Sequence, residues 1–78
     1  MKVFNPEALK ELRKARGLTQ QALSDAVGVA ISQEQFWEAG KYTPKIPNLC
    51  ALADALGVDI ADLLKEQEAD SELDYARK

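Results

Sequence analysis

The sequence predicts an all-α fold, a compact five-helix bundle, and three observations support it. Leu and Ala outnumber the β-branched residues, which favours helices over strands. Apolar residues recur at helical spacing, and capping residues or glycines stand at the ends of these segments. A chain of 78 residues has room for one small core. A single helical domain satisfies all three.

The first two helices are predicted from their ends. Asn5 is a good capping residue, Pro6 suits the first helical position, and Gly17 ends the segment. Thr19 and Gly28 enclose a second helix of about two turns in the same way. Apolar residues inside both segments predict one buried face on each helix.

The third helix is predicted to begin at Ser32. Ser32 and Gln35 have the spacing of a capping box, and Ile31 with Phe36 has the spacing of a hydrophobic staple, so Phe36 is expected to pack against Ile31. Gln33 and Gln35 then lie near the helix N-terminus. Because a glutamine amide both donates and accepts hydrogen bonds, it suits the edge of adenine in the major groove of duplex DNA.

The fourth and fifth helices follow the basic segment around Lys41. Apolar residues recur at helical spacing from Ile46 to Leu56, and Gly57 ends the fourth helix. Asp59 is the cap of a fifth helix predicted to run to about Lys65. The domain is therefore predicted to span residues 1–65, with residues 66–78 as a charged C-terminal tail that stability of the fold does not require.

Composition argues against several classes of function. The chain has one cysteine and no histidine, and it contains no nucleophile–base pair, so we expect no enzyme, metal or cofactor. No apolar run approaches the ~20 residues that a membrane-spanning helix needs, so we expect no membrane partner and a cytoplasmic location.

The acidic charge is concentrated at the C-terminus. Residues 1–57 carry seven basic and six acidic side chains, whereas residues 58–78 carry three and seven. The body of the chain is thus nearly neutral, although the net charge of the whole is −3. A near-neutral body permits nucleic-acid binding, and the tail is a candidate contact for a protein partner.

Several motifs together resemble the phage-repressor and Cro-like helix-turn-helix DNA-binding domains. The similarity covers roughly residues 7–65. The matching segments are Leu12–Gln20, Val27–Val29, Trp37–Lys41 with Pro44, and Leu52–Val58. This resemblance implies a lambda-repressor-like fold and a sequence-specific transcriptional regulator that binds double-stranded DNA, as a homodimer, with its third helix in the major groove.

The resemblance also implies which residues form the site. Arg13 is expected to pair with Glu38 as a structural ion pair. The expected DNA contacts are the start of the second helix, the exposed side of the third and the loop after it: Thr19, Gln20, Gln21, Ser32, Gln33, Gln35, Lys41, Tyr42, Thr43 and Lys45.

The chain departs from the family pattern in its third helix. The family has a branched apolar residue where this chain has Glu34, and a capping residue where it has Ala30. The start predicted at Ser32 therefore lies two residues later than in the family, and Glu34 is expected to add negative charge near the DNA. These features favour an alternative, a protein-interaction helix-turn-helix module or an antitoxin-type regulator with little DNA affinity of its own.

Overall fold

The computed structural model describes residues 1–66, which form four α-helices, one short 3₁₀ turn and a small two-stranded sheet. In chain order the elements are β1 (Lys2–Phe4), α1 (Pro6–Ala15), α2 (Gln20–Val27), α3 (Ile31–Glu38), α4 (Ile46–Leu56), the 3₁₀ turn (Ile60–Leu63) and β2 (Leu64–Glu66). The fold is mainly helical, as predicted, but it is not all-α.

Local interactions fix the first two helices where the sequence predicts them. The Asn5 side chain accepts hydrogen bonds from the backbone N–H groups of Glu7 and Ala8, at 3.1 and 3.3 Å. Thr19 Oγ1 accepts one from a backbone N–H in the first turn of α2, at 3.0 Å. Gly28 follows α2 with φ of +88°, a left-handed conformation that glycine adopts without strain. These predictions are confirmed.

The prediction of a fifth helix is wrong. The chain forms only the 3₁₀ turn after Asp59 and then extends into β2, which pairs antiparallel with β1. Phe4 lies opposite Leu64, and the Asn5 backbone N–H donates to the Leu63 carbonyl at 2.8 Å. Since the two strands are far apart in sequence, no local pattern signals their pairing. The hydrogen bonds gained with β1 replace those of a further helical turn.

The start predicted for the third helix is also wrong. α3 begins at Ile31, with Ala30 at the N-cap and no side-chain cap. A capping side chain contributes only about 1 kcal/mol. Burying a tryptophan contributes about 4–6 kcal/mol at ~25 cal/mol per Å², and Trp37 is fully buried. The orientation that buries Trp37 therefore sets the register, and α3 begins where the family resemblance places it.

The core lies between the four helices and is closed at one end by the sheet and the 3₁₀ turn. α2 packs against both α3 and α4, and α1 packs against α3. The buried apolar side chains are Phe4, Leu9, Leu23, Trp37, Leu49, Leu52, Ala53, Leu56 and Leu63. Among residues 1–66, no helix has the length and apolar character needed to cross a membrane.

We expect a chain ending after Glu66 to unfold cooperatively, within about 1 kcal/mol of the full chain, because the buried apolar side chains found among residues 1–66 all lie between Phe4 and Leu63. β2 ends at Glu66, one residue beyond the predicted domain boundary. A chain ending after Leu63 is the matched comparison, since it lacks the strand that pairs with Phe4. Urea denaturation followed by circular dichroism measures the free energy of unfolding and the cooperativity of both truncated chains. Loss of cooperativity in the longer truncation would mean that residues 67–78 contribute to the core.

Candidate functional site

The outer side of α3 carries polar and aromatic residues. Glu34 and Trp37 face inwards, whereas Ser32, Gln35 and Phe36 are exposed and Gln33 is half-buried. Because residues three or four apart share a face of a helix, the three exposed residues form one outward surface. The left-handed turn at Gly28 and the contacts of α3 with α2 hold this surface in place.

A groove beside α3 brings four of the predicted site residues together. It has a volume of about 660 Å³, and Gln33, Tyr42, Thr43 and Lys45 are among the residues lining it. Lys45 is also the N-cap of α4, whose first turn has no side-chain cap. The positive end of the α4 dipole and the lysine charge therefore lie together at the groove, an arrangement that favours anions.

The remaining loop residues contact the end of α3. The rings of Phe36 and Tyr42 meet edge to face, with centroids 5.2 Å apart. Lys41 Nζ lies 5.7 Å from the centroid of the Phe36 ring. We call these three residues the Phe36 cluster. The prediction that Phe36 packs as a buried residue against Ile31 is wrong, because it depended on a helix start at Ser32 and the side chain is 36% exposed.

Two glutamines connect the outer side of α3 with α2. Gln35 Nε2 donates to Gln20 Oε1, and Gln20 Nε2 donates to Glu38 Oε1, both at 3.2 Å. Thr19 and Gln21 make their contacts within α2 instead: Thr19 caps the helix, and Gln21 Nε2 donates to Asp25 Oδ1 at 2.9 Å. Gln20 is thus hydrogen-bonded to α3, whereas the side chains of Thr19 and Gln21 are hydrogen-bonded within α2.

Arg13 and Glu38, the expected ion pair, are joined by two hydrogen bonds. Arg13 Nε donates to Glu38 Oε2 at 2.6 Å and Nη2 donates to Glu38 Oε1 at 3.3 Å. Nη1 donates to the Leu18 carbonyl at 2.8 Å. The side chains of both partners are almost completely buried. A paired, bidentate arginine at this position links α1, the loop before α2, and α3.

Glu34 lies beside this pair and is completely buried. Its Oε2 is 4.0 Å from Arg13 Nε, and within residues 1–66 neither carboxyl oxygen has a hydrogen-bond partner. Burial, followed by the effect of the neighbouring Glu38, raises the pKa of Glu34 to about 8. At neutral pH Glu34 is therefore mostly protonated, and its O–H group is available to donate to the Glu38 carboxylate one helical turn away.

The pKa values of Glu38 and Arg13 shift in the directions that favour their charged forms. Burial tends to raise the pKa of Glu38, but the neighbouring Glu34 carboxyl and the hydrogen bonds donated by Arg13 and Gln20 outweigh that effect and lower it. The hydrogen bond with Glu38 raises the pKa of Arg13. The expectation that Glu34 adds negative charge to the outer surface of α3 is wrong, since the side chain is completely buried and its pKa is raised.

Two residues of this region are not among the predicted site residues. Glu34 lies three positions before Trp37, so the helical spacing that buries the tryptophan also buries the acid. Phe36 lies four positions after Ser32 and so shares its exposed face. With the helix start at Ile31, both placements follow from the sequence. Among residues 1–66, no group of acidic or cysteine side chains is arranged to hold a metal ion.

The chain is similar to known helix-turn-helix proteins that regulate transcription. The model of the helix-turn-helix family matches residues 9–63. A prophage-derived transcriptional regulator of Bacillus subtilis, YonR, is 35% identical over 68 residues, which are 87% of this chain and 63% of that protein. The transcriptional repressor RstR of the cryptic phage CTXphi in Vibrio cholerae is 35% identical over 57 residues, 73% of this chain and 51% of that protein.

Among solved structures, that of the P22 c2 repressor in complex with a synthetic operator is similar, with a TM-score of 0.74 and 34% identity. The match covers 80% of this chain and 94% of the repressor chain. This chain thus spans about half to two thirds of the curated relatives named above, and it matches nearly all of the solved repressor chain.

Proposed function

This chain belongs to the helix-turn-helix family, and we propose that it is a sequence-specific regulator of transcription, of the repressor kind, that binds double-stranded DNA. The observation that carries the proposal is the outer surface of α3, where Ser32, Gln35 and Phe36 are exposed beside a loop with two lysines. α3 is short, and its exposed residues lie on one side, so it can enter the major groove with this surface against the bases. The similarity to a repressor whose structure was solved in complex with a synthetic operator supports binding to DNA.

We assign the roles within this surface from its geometry. Ser32 and Gln35 are proposed to contact base edges, with Gln35 oriented by its hydrogen bond to Gln20. Gln33 lines the protein groove beside α4. It is proposed to contact the DNA where the sugar-phosphate backbone passes this groove. The proposed phosphate contacts come from the start of α2 and from the loop before α4: Thr19, Gln20, Gln21, Lys41, Tyr42, Thr43 and Lys45.

The observations that favoured a protein-binding module have weakened. Glu34 is completely buried with a raised pKa and so does not lie on the surface proposed to face phosphate, and α3 begins without the displacement predicted from Ser32. The acidic tail is the one feature that still favours a protein-binding module. Its proposed contact with a protein partner lies outside the described residues, and DNA binding is the function that the geometry of residues 1–66 supports best.

A homodimer is part of the proposal. One short helix reads only a few base pairs, and a second copy related by two-fold symmetry doubles the length of DNA that is read. We also propose a cytoplasmic location, as expected from the sequence, because the protein must reach duplex DNA. Sedimentation velocity with and without duplex DNA would measure the number of copies bound.

Binding to duplex DNA is expected to weaken as salt concentration rises, but with a log–log slope much shallower than the value of about −10 reached by strongly basic repressors. The reason is the near-neutral charge of residues 1–57. Lys41→Ala should weaken binding to all sequences about equally and reduce the slope by about 1. Fluorescence anisotropy at several salt concentrations measures both quantities.

Lys65→Ala is the matched control, since Lys65 is also an exposed lysine but lies in β2 and is not among the proposed DNA contacts. It should leave affinity and slope unchanged. If the wild-type protein binds no duplex more tightly than a scrambled one at low salt, the proposed function is wrong. If both lysine variants lose affinity equally, the DNA lies on a different face of the protein.

A further inference from the structure

Phe36 is a partly solvent-exposed aromatic side chain on the outer side of α3. It is 36% exposed on the outer side of α3, on the same face as Ser32. The inward side of the helix is occupied by Trp37 and Glu34, which are fully buried. Phe36 thus lies outside the apolar core, and it is a partly exposed apolar group on the surface that we propose to face DNA.

The ring is held in one position by its neighbours. Tyr42 packs edge to face against it with an interplanar angle of 85°, and Lys41 Nζ lies over its face. The Lys41 backbone N–H donates to the Phe36 carbonyl at 2.9 Å, which fixes the loop to the end of α3. A fixed aromatic ring loses little conformational entropy on binding, so the Phe36 cluster is prepared for an apolar contact.

Major-groove chemistry identifies the partner of such a contact. The base edges in that groove present hydrogen-bond donors and acceptors, and thymine alone adds an apolar group, its C5-methyl. A phenyl ring has no hydrogen bond to offer the other bases, but it gains free energy by covering a methyl group. The charge of Lys41 beside the ring suits the nearby phosphates.

We propose that Phe36 is a specificity-determining residue that recognises the C5-methyl group of thymine in the DNA site. The inference rests on the proposed function. It also explains why a side chain that the core does not require is aromatic. The alternative is that the Phe36 cluster serves only to hold the loop of residues 40–45 against α3, and the experiment separates the two.

The test replaces thymine by uracil, which removes the methyl group and leaves the base pairing intact. A duplex is first selected from a random pool by the wild-type protein, and its thymines are then replaced one at a time by uracil. We expect one or two replacements to weaken binding about four- to tenfold, the cost of one uncovered methyl group. Phe36→Ala should bind the thymine and uracil duplexes equally well.

Tyr42→Phe is the matched control, because it preserves the ring that packs against Phe36 and should retain the uracil penalty. Phe36→Gln, a good helix former of similar length, is a second variant in case Phe36→Ala is poorly folded by circular dichroism. Its loss of the penalty would support the same role. If the wild-type protein selects no sequence, the proposed function fails and this inference with it. If it selects a sequence but no uracil replacement weakens binding, or if the Phe36 variants keep the penalty, only this inference is overturned.

Discussion

The free energy of unfolding is expected to fall by about 2–4 kcal/mol as the pH rises from about 4.5 to 8. The cause is Glu34, whose pKa is raised from its ordinary value of 4.5 to about 8 by burial and by Glu38. Below the lower value the carboxyl is protonated in both states. Between the two values the unfolded chain loses the proton and the folded chain keeps it, so unfolding becomes progressively more favourable.

Glu38 acts in the other direction and in another pH range. Its pKa is lowered in the folded protein, so its contribution to stability is present above pH 4.5 and is lost as the pH falls further. Together the two acids predict maximal stability near pH 5. Urea denaturation at half-unit intervals of pH between 3 and 9 would map this dependence.

Glu34→Gln should remove most of the fall between pH 4.5 and 8, because the amide resembles the protonated acid at every pH. The chain contains no histidine, so few other groups titrate in this range. Glu11→Gln, a change of an exposed acid on α1, is the matched control and should leave the dependence as it is. A fall of the same size in Glu34→Gln would mean that Glu34 is not the group responsible.

Arg13→Met is expected to lower the free energy of unfolding by about 3–5 kcal/mol at pH 7, the usual cost of removing one member of a buried ion pair. Methionine preserves most of the apolar volume, so the loss reports the charge and the hydrogen bonds. Without Arg13, Glu38 remains buried beside Glu34 without the guanidinium that pairs with it, and the Leu18 carbonyl loses its donor. Chemical denaturation measures the loss.

The matched control is Arg16→Met. Arg16 is exposed and makes one long hydrogen bond, of 3.4 Å, to the Gly57 carbonyl, so its change should cost less than about 1 kcal/mol. A double-mutant cycle with Arg13→Met and Glu38→Gln isolates the interaction between the pair. We expect a coupling of about 1–3 kcal/mol. Coupling near zero would show that the contact contributes nothing to stability, whatever its geometry.

The arginine variant should also affect the DNA surface. Glu38 holds the Gln20 amide, which in turn accepts from Gln35 on the outer side of α3. Since this chain of hydrogen bonds begins at the Arg13–Glu38 pair, the pair orients one of the proposed base-contacting side chains. The buried ion pair between α1 and α3 is therefore expected to affect DNA recognition as well as stability.

The ends of α1, α2 and α4 can be predicted from local sequence. Asn5 and Thr19 accept hydrogen bonds from backbone N–H groups two or three residues away, and Gly28 and Gly57 adopt left-handed conformations directly after their helices. Such interactions are complete within one helical turn, so the residues that make them are recognisable without the rest of the fold.

The register of α3, the pairing of the two strands and the environment of Glu34 depend instead on contacts between distant parts of the chain. The cap signal at Ser32 is local and worth about 1 kcal/mol, and the burial of Trp37 against the other helices outweighs it. β1 and β2 pair across nearly the whole length of the described chain. Glu34 is buried because it shares a helix face with Trp37, and its raised pKa comes from burial and from Glu38, with Arg13 partly opposing the shift. Each of these outcomes is a balance between contacts from distant segments, which exist only once the chain has folded.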